Sequence, residues 1–412
     1  MLRHNALEAD CLVVGAGVVG ASIAQQLARA GRDVVVVDAA DDIGGGCSYA
    51  NAGILAPDHV GPLATPALLL EAPQQMLRRP PAVTVGLDPS LVPFLTSLML
   101  SAAPARAKRG SERLRQLAWT SVRMHQELAD AGLSPHLTKT GALNIYTTHQ
   151  SPRPGLIDGD AVSELEPAVV GACAGTVEQE EWTLGPRGYI KAMLDDAARH
   201  GADLRQSTRV TKLASDGGRV VEAHTEQHII RADHVILATG LGGIALAAQV
   251  GIRLPIRGGR GYIVDLEVPD GAPRMPVRFQ HHRVVVTPIL DRVRVAGALE
   301  FGDESRPKDL SRADDLLEVA ARHMPVLGSA KVIERWAGDR PCSSDGLPII
   351  GTSSALPNLH VAAGHGMWGM ILAPVTADII RDAVITGDAN PTGRWLGPDR
   401  FQRRLLPGRN QS

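Results

Sequence analysis

The residues best placed to do chemistry come early in the chain. Gly15-Ala16-Gly17-Val18-Val19-Gly20 follows the apolar run Cys11-Leu12-Val13-Val14, and Asp38 closes a second apolar run, Val34 to Val37. A glycine turn of this spacing can hold a pyrophosphate, because the N–H groups opening the next helix are free and the helix dipole favours an anion. Gly15 would permit the tight turn, Gly17 would let backbone approach the phosphates, and Gly20 would let the helix pack closely on the sheet. Asp38 is spaced to accept hydrogen bonds from a ribose hydroxyl, and an acid there argues against a 2′-phosphate and so against NADP. The fingerprint fits NAD and FAD alike; its place at the N-terminus leans towards FAD.

Two further side chains could act on a substrate. Arg340, in Gly338-Asp339-Arg340-Pro341, carries a planar fork of donors that pairs bidentately with a carboxylate. The surrounding glycine and proline read as a loop between domains. His365, in Gly364-His365-Gly366-Met367-Trp368-Gly369-Met370, is a general base or a satisfied structural histidine. That glycine-rich turn opens a final helix expected from about Pro374, and a helix N-terminus there would stabilise negative charge on a ligand. Cys11, Cys47, Cys173 and Cys342 show no paired spacing, which argues against a metal site or a disulfide framework and fits a reducing cytoplasm.

The elements that must position these groups alternate. A strand, helix and strand span the fingerprint, followed by a glycine-dense loop from Asp42 to Gly53. Residues 57–110 are proline-rich and helix-leaning. Residues 111–132 read as a helix capped by Ser111 and stopped by Gly132, and 187–200 as another. Strands are expected at Gly141–Thr147, Arg209–Leu213, near Val220 and at Val235–Ala238, the last leading into Thr239-Gly240. Tyr262–Val268, Arg283–Pro288 and Val293–Leu299 alternate as an antiparallel sheet. A helix over Leu310–His323 precedes a strand–glycine–helix unit over Leu359–Ile385. Parallel βα pieces separated by antiparallel sheet imply an α/β fold with two discontinuous domains. A nucleotide domain would take 1–60, 154–253 and 335–412, and a second α+β domain 61–153 and 254–334.

With 412 residues, 44% hydrophobic content and a formal charge of −2, the chain suits two soluble domains and offers no basic face for nucleic acid. No signal-peptide pattern is seen in residues 1–9, and no apolar run reaches the length of a membrane span. Leu91–Leu100 comes nearest and reads as a buried or interface helix, with peripheral membrane contact as the alternative.

Taken together, these motifs resemble the FAD-dependent D-amino-acid oxidase and dehydrogenase superfamily, most nearly its bacterial D-amino-acid dehydrogenase and glycine oxidase branches. The likeness rests on the fingerprint with Asp38, Ser48-Tyr49-Ala50-Asn51-Ala52-Gly53, Ala238-Thr239-Gly240 and Gly261-Tyr262. It continues in Ala296-Gly297-Ala298-Leu299-Glu300, Gly338-Asp339-Arg340-Pro341, Asp345–Gly351 and Gly364–Met370. It implies a Rossmann-type FAD-binding domain with a second α+β substrate domain built on an antiparallel sheet. It further implies cofactor contacts at Gly15, Gly17, Val18, Val19, Gly20, Asp38, Ser48, Asn51, Ala52, Gly53, Val210, Thr239, Gly240, Gly338, Gly364, Gly366, Met367, Trp368, Gly369 and Met370. Arg340 would clamp the substrate carboxylate, and Tyr262, in the loop Gly258–Tyr262, would border the substrate. Arg260 stands where relatives often carry lysine. Cys342 invites a covalent-flavin reading, but it lies too near Arg340, so noncovalent FAD is expected.

The resemblance implies oxidative deamination of D-amino acids to 2-oxo acids, by hydride transfer from the α-carbon to flavin N5. The alternative within the superfamily is a secondary amine or small substrate such as D-hydroxyproline, sarcosine or glycine. A flavin-binding subunit of a larger complex and an NAD-dependent dehydrogenase are the more distant readings. The implied partners are a small amino acid and a quinone or electron-acceptor protein. The implied place is the cytoplasm or the inner-membrane periphery.

Overall fold

Continuous runs of valine and leucine such as Val34–Val37 suit strands buried on both faces, and they build the first sheet. The computed structural model describes residues 5–42, 45–78, 80–387 and 395–402; Ile43 and Gly44 of the glycine-dense loop lie outside these. In this sheet Asn5–Val14 pairs in parallel with Val34–Val37 on one side and His228–Leu237 on the other. Asp203–Arg205 and Leu359–Ala363 extend the parallel region, while Val210–Asp216 and Arg219–Thr225 add an antiparallel ribbon. Helices Val18–Arg29, Pro186–Arg199 and Gly369–Thr386 bury one face of it, where Cys11, Val13, Val34 and Val36 meet Ile23, Met193 and Ile371.

A second, largely antiparallel sheet has nine strands among the described residues. Val332–Ser343 forms its edge, next to Ile256–Glu267 and then Arg292–Phe301. Helix Ser311–His323 packs on one face over Tyr262, Val264, Val293 and Ala337. A small three-stranded sheet joins Ile54–Leu55, Trp182–Thr183 and Thr138–Lys139. The architecture is the α/β arrangement expected from sequence, a parallel sheet with a second unit on an antiparallel one.

Several local expectations change. The expected helix over 111–132 runs from Pro104 to Asp130, with Ser111 in its interior. Proline at the first helical turn starts it, and Gly110, which resembled a break, is held where a side chain would meet Pro62 at 2.8 Å. The final helix begins at Gly369 and not near Pro374. Pro374 cannot donate to the Met370 carbonyl one turn back, and His125 Nε2 donates to it instead, at 3.1 Å. Arg340 lies in the strand Val332–Ser343 and not in a loop. An edge strand tolerates Pro341 because its outer side needs no donor. Gly258–Tyr262 is strand too, within Ile256–Glu267.

By sheet membership, Leu156–Asp158, Ala174–Glu178 and Val332–Ser343 belong to the second unit. This favours domain boundaries after 178 and 343 over the expected 154 and 335. Among the described residues, no helix is long and apolar enough to cross a membrane.

Candidate functional site

Steric necessity fixes the nucleotide turn. Gly15 has φ +102°, and a side chain there would meet the Ala238 carbonyl oxygen at 2.7 Å. A Cβ on Gly20 would stand 1.9 Å from the Gly15 oxygen, so no larger residue lets helix Val18–Arg29 approach the strand this closely. Gly17 caps that helix without a side-chain bond, and its first turn carries no acid. Val18 N–H donates to Ser48 Oγ at 3.2 Å, which brings the loop onto the helix start. Asp38 accepts from Ala16 N–H at 2.6 Å and from Ala40 N–H at 2.8 Å, locking the acid beside the turn. Across the strand end, Thr239 Oγ1 is buried without a hydrogen-bond partner, next to Gly240. Val210 opens the outer ribbon, adjoining a cavity of about 150 Å³ lined by Ala39, Thr208 and Thr225.

The loop at 45–53 is tied to the second sheet through a buried ion pair. Arg294 binds Asp265 bidentately at 2.7 Å through both Nε and Nη2, with the two side chains 4% and 0% exposed. Its Nη1 donates to the Asn51 carbonyl at 2.5 Å. Asn51 Oδ1 in turn accepts from Gly53 N–H at 2.9 Å, and the Gly53 carbonyl accepts from Leu184. Ala50, Tyr49 and Ala52 then pack on Ile263, Ala296 and Trp336 of the sheet. Tyr49 donates to Glu334 and sits 5.9 Å from the Trp336 ring.

From the other side comes the turn Gly364–Met370. Gly366 N–H donates to the Pro341 carbonyl at 2.8 Å, joining this turn to the strand that bears Arg340. Trp368 Nε1 donates to the Gly61 carbonyl at 2.8 Å, Met367 is exposed and Met370 is buried in the core. His365 Nε2 is bonded to Thr376 Oγ1 at 3.1 Å, and burial pushes the imidazole down to about 4. This is a neutral histidine engaged with the helix that follows it, which favours the structural alternative over a general base.

The sheet face between these two segments carries Arg340. Strand alternation puts Trp336, Gly338 and Arg340 on one face and Ala337 and Asp339 on the other. Arg340 Nη1 donates to the Ala298 carbonyl at 3.1 Å, at a residue whose φ of +58° turns that carbonyl towards it. Among the described residues Arg340 has no ion-pair partner. Burial disfavours its charge, an effect partly offset by Cys342, Cys47 and Asp339. The Asp339 carboxylate is held by Arg260 Nε at 2.9 Å, and Arg260 also bonds the carbonyls of Glu304 and Arg306.

The structure does not bring Tyr262 to Arg340. Tyr262 is on the opposite face, 1% exposed under helix Ser311–His323, and donates to Glu300 at 3.0 Å. Burial, then the bond to Glu300, pushes its phenol up to about 12. The reading as a loop aromatic misplaced it, because Gly258-Gly259-Arg260-Gly261 resembles a turn while the pairing of Ile256–Glu267 on both sides keeps it extended.

A model described as FAD dependent oxidoreductase, the DAO family, matches residues 10–383. This chain belongs to that family. A D-amino acid dehydrogenase of Paramagnetospirillum magneticum is 30% identical over 96% of this chain and 99% of its own length. One from Cereibacter sphaeroides is 29% identical over 97% and 99%. Among solved structures, glycine oxidase from Bacillus cereus superposes with a TM-score of 0.73 at 20% identity, covering 97% of this chain and 99% of its own. L-proline dehydrogenase from P. horikoshii gives 0.71 at 18%, covering 96% and 98%.

The protein is therefore an FAD-dependent oxidoreductase with a Rossmann-type unit and a second unit on an antiparallel sheet. Its own residues fit the cofactor. The acid-free helix start, the side-chain-free approach at Gly15 and Gly20, and the orphaned Thr239 hydroxyl make a cradle for a bound nucleotide. Sequence reasoning missed Arg294, Asp265 and Trp336. A charge alternating with valines in Arg292-Val293-Arg294-Val295 marks a buried ion pair, and Trp336 needed the strand register to be linked with Arg340.

Proposed function

We propose that this protein carries out FAD-dependent oxidative deamination of D-amino acids to 2-oxo acids. The observation that carries the reading is Arg340, a half-buried arginine with no carboxylate partner among the described residues, facing the loop at 45–53. An uncompensated buried cation is costly, and a substrate carboxylate offers the missing partner. The names of the relatives at about 30% identity support the D-amino-acid class.

On this reading Gly15, Gly17, Val18, Val19 and Gly20 would hold the pyrophosphate, and Asp38 the ribose. Ser48–Gly53, Thr239-Gly240 and the turn Gly364–Met370 would border the ring system, with Val210 towards the adenine. When bound, FAD supplies the acceptor for the hydride leaving the substrate α-carbon. Arg340 would fix the carboxylate and so orient the α-hydrogen, a task of positioning. A neutral substrate amine provides the electron push and gives an imino acid, which water converts to the 2-oxo acid and ammonia. No protein base is required, in keeping with a neutral His365 bonded to Thr376. FAD would be held noncovalently, since Cys342 is buried and its thiol is pushed up to about 12 by that burial. A quinone or partner protein would take the electrons.

The test is turnover with an artificial dye acceptor. D-alanine or a larger D-amino acid should yield ammonia and 2-oxo acid in equal amounts. Turnover confined to sarcosine, glycine or D-hydroxyproline would move the protein to the amine-oxidising alternative.

A further inference from the structure

Gly261 and Gly338 are direct partners in the antiparallel pair formed by Ile256–Glu267 and Val332–Ser343. Directly opposed residues carry their Cβ positions about 5 Å apart on the same face of a sheet. Both positions are filled from above by neighbouring side chains. A Cβ on Gly261 would lie 2.1 Å from Arg340 Nη2, and one on Gly338 would lie 1.9 Å from the Trp336 ring edge. The guanidinium thus lies over Gly261 and the indole over the facing Gly338, on one glycine floor. Around the indole are Tyr49, Ala50, Ile263 and Ala296, an apolar wall. Glu334 at its rim is taken by the Tyr49 hydroxyl. Lys308 Nζ stands 5.5 Å from the ring centroid and is bonded to the Ala337 carbonyl.

We infer that Trp336 forms the side-chain subsite for the substrate and selects amino acids with apolar side chains. The inference rests on Arg340 as the carboxylate clamp of the proposed function. A carboxylate held over Gly261 leaves the α-carbon substituent beside the adjacent indole. A flat aromatic surface rewards each methylene laid against it and gives nothing to an anionic or strongly hydrated group, and Lys308 already stands at the ring as its cation. The same geometry makes glycine a poor ligand, since it carries nothing to reach the indole.

The test uses the FAD-loaded enzyme and inert ligands, so it does not depend on turnover. Straight-chain carboxylates from acetate to hexanoate are titrated while the flavin absorbance is followed. Wild type should bind about fourfold more tightly per added methylene, the value for full burial of a CH₂ group. Trp336→Ala should reduce this to less than twofold per methylene, and Trp336→Phe should keep most of it. Arg340→Ala should weaken all the carboxylates together. An unchanged chain-length series in Trp336→Ala, or a flat series in wild type, overturns the subsite while leaving the clamp standing. If Arg340→Ala binds every carboxylate as wild type does, the clamp fails and the subsite with it. Variant folding is checked by flavin content and melting temperature.

Discussion

Arg260 holds the Asp339 carboxylate at 2.9 Å on the sheet face opposite to Arg340, so the acid adjacent to Arg340 in sequence is already paired. Arg340 is left facing the loop at 45–53 with a single carbonyl bond. A half-buried cation with no counter-charge among the described residues is what the proposed carboxylate site needs before its ligand arrives.

On the proposed function, replacing Arg340 by lysine or alanine removes the bidentate clamp on the substrate carboxylate. A charge-assisted pair of this kind is worth about 2–4 kcal/mol, roughly 30- to 1,000-fold in kcat/KM. The flavin spectrum should be unaltered. Steady-state kinetics with a D-amino acid and dye acceptor check both points.

Gly261→Ala and Gly20→Ala should fail in different ways. At Gly261 the new methyl meets the end of a flexible side chain, so it displaces the Arg340 guanidinium at small structural cost. KM should rise about tenfold or more, equivalent to roughly 1.4 kcal/mol, with the melting temperature nearly unchanged. At Gly20 the methyl meets backbone, where overpacking costs about 1–3 kcal/mol. That variant should melt lower and be isolated with less FAD.

Arg294→Gln tests whether the Asp265 pair organises the loop at 45–53, the proposed flavin border. Orphaning a buried charge costs about 3–5 kcal/mol, and the cost here should be smaller because Asp265 keeps Arg292 Nη1 at 3.2 Å. The substitution also releases the Asn51 carbonyl. The expected result is a lower melting temperature with a disproportionate loss of bound FAD, read by absorbance after gel filtration. Equal loss on Asp265→Asn would place both residues in one unit.

Three buried histidines set the acid limit. His125 and His365 are pushed down to about 4, and His360 to about 3, all by burial. Their folded values lie below the unfolded value, so the unfolded chain binds more protons on acidification. Stability is complete above about pH 6.5 and falls as pH drops towards 4, at up to about 1.4 kcal/mol per pH unit for each histidine. Melting curves at pH 7.5 and 5 should show the drop, and His360→Asn should reduce it.

Much of the nucleotide unit was legible because each glycine of the fingerprint answers a local demand. The backbone contact at Gly15 and the close packing at Gly20 leave one residue type that fits. The sheet face that carries the candidate site was less legible. Gly338 and Pro341 have the look of a loop, yet an edge strand accommodates proline, and the glycines make room for Arg340 and Trp336. Once the segment is extended, alternation alone puts Trp336 and Arg340 on one face and sends Tyr262 to the helix side. Tertiary pairing supplied that knowledge. Pro374 misled in the same way, because the donor replacing its missing N–H comes from His125, distant in sequence.

The central claim is tested most directly by anaerobic mixing of the purified protein with D-amino acids, L-amino acids, sarcosine and D-hydroxyproline, following the flavin absorbance. The account predicts bleaching by D-amino acids, faster for apolar side chains, and none by their L-enantiomers. A flavin bleached by L-amino acids or secondary amines alone, and unmoved by every D-amino acid, would contradict it.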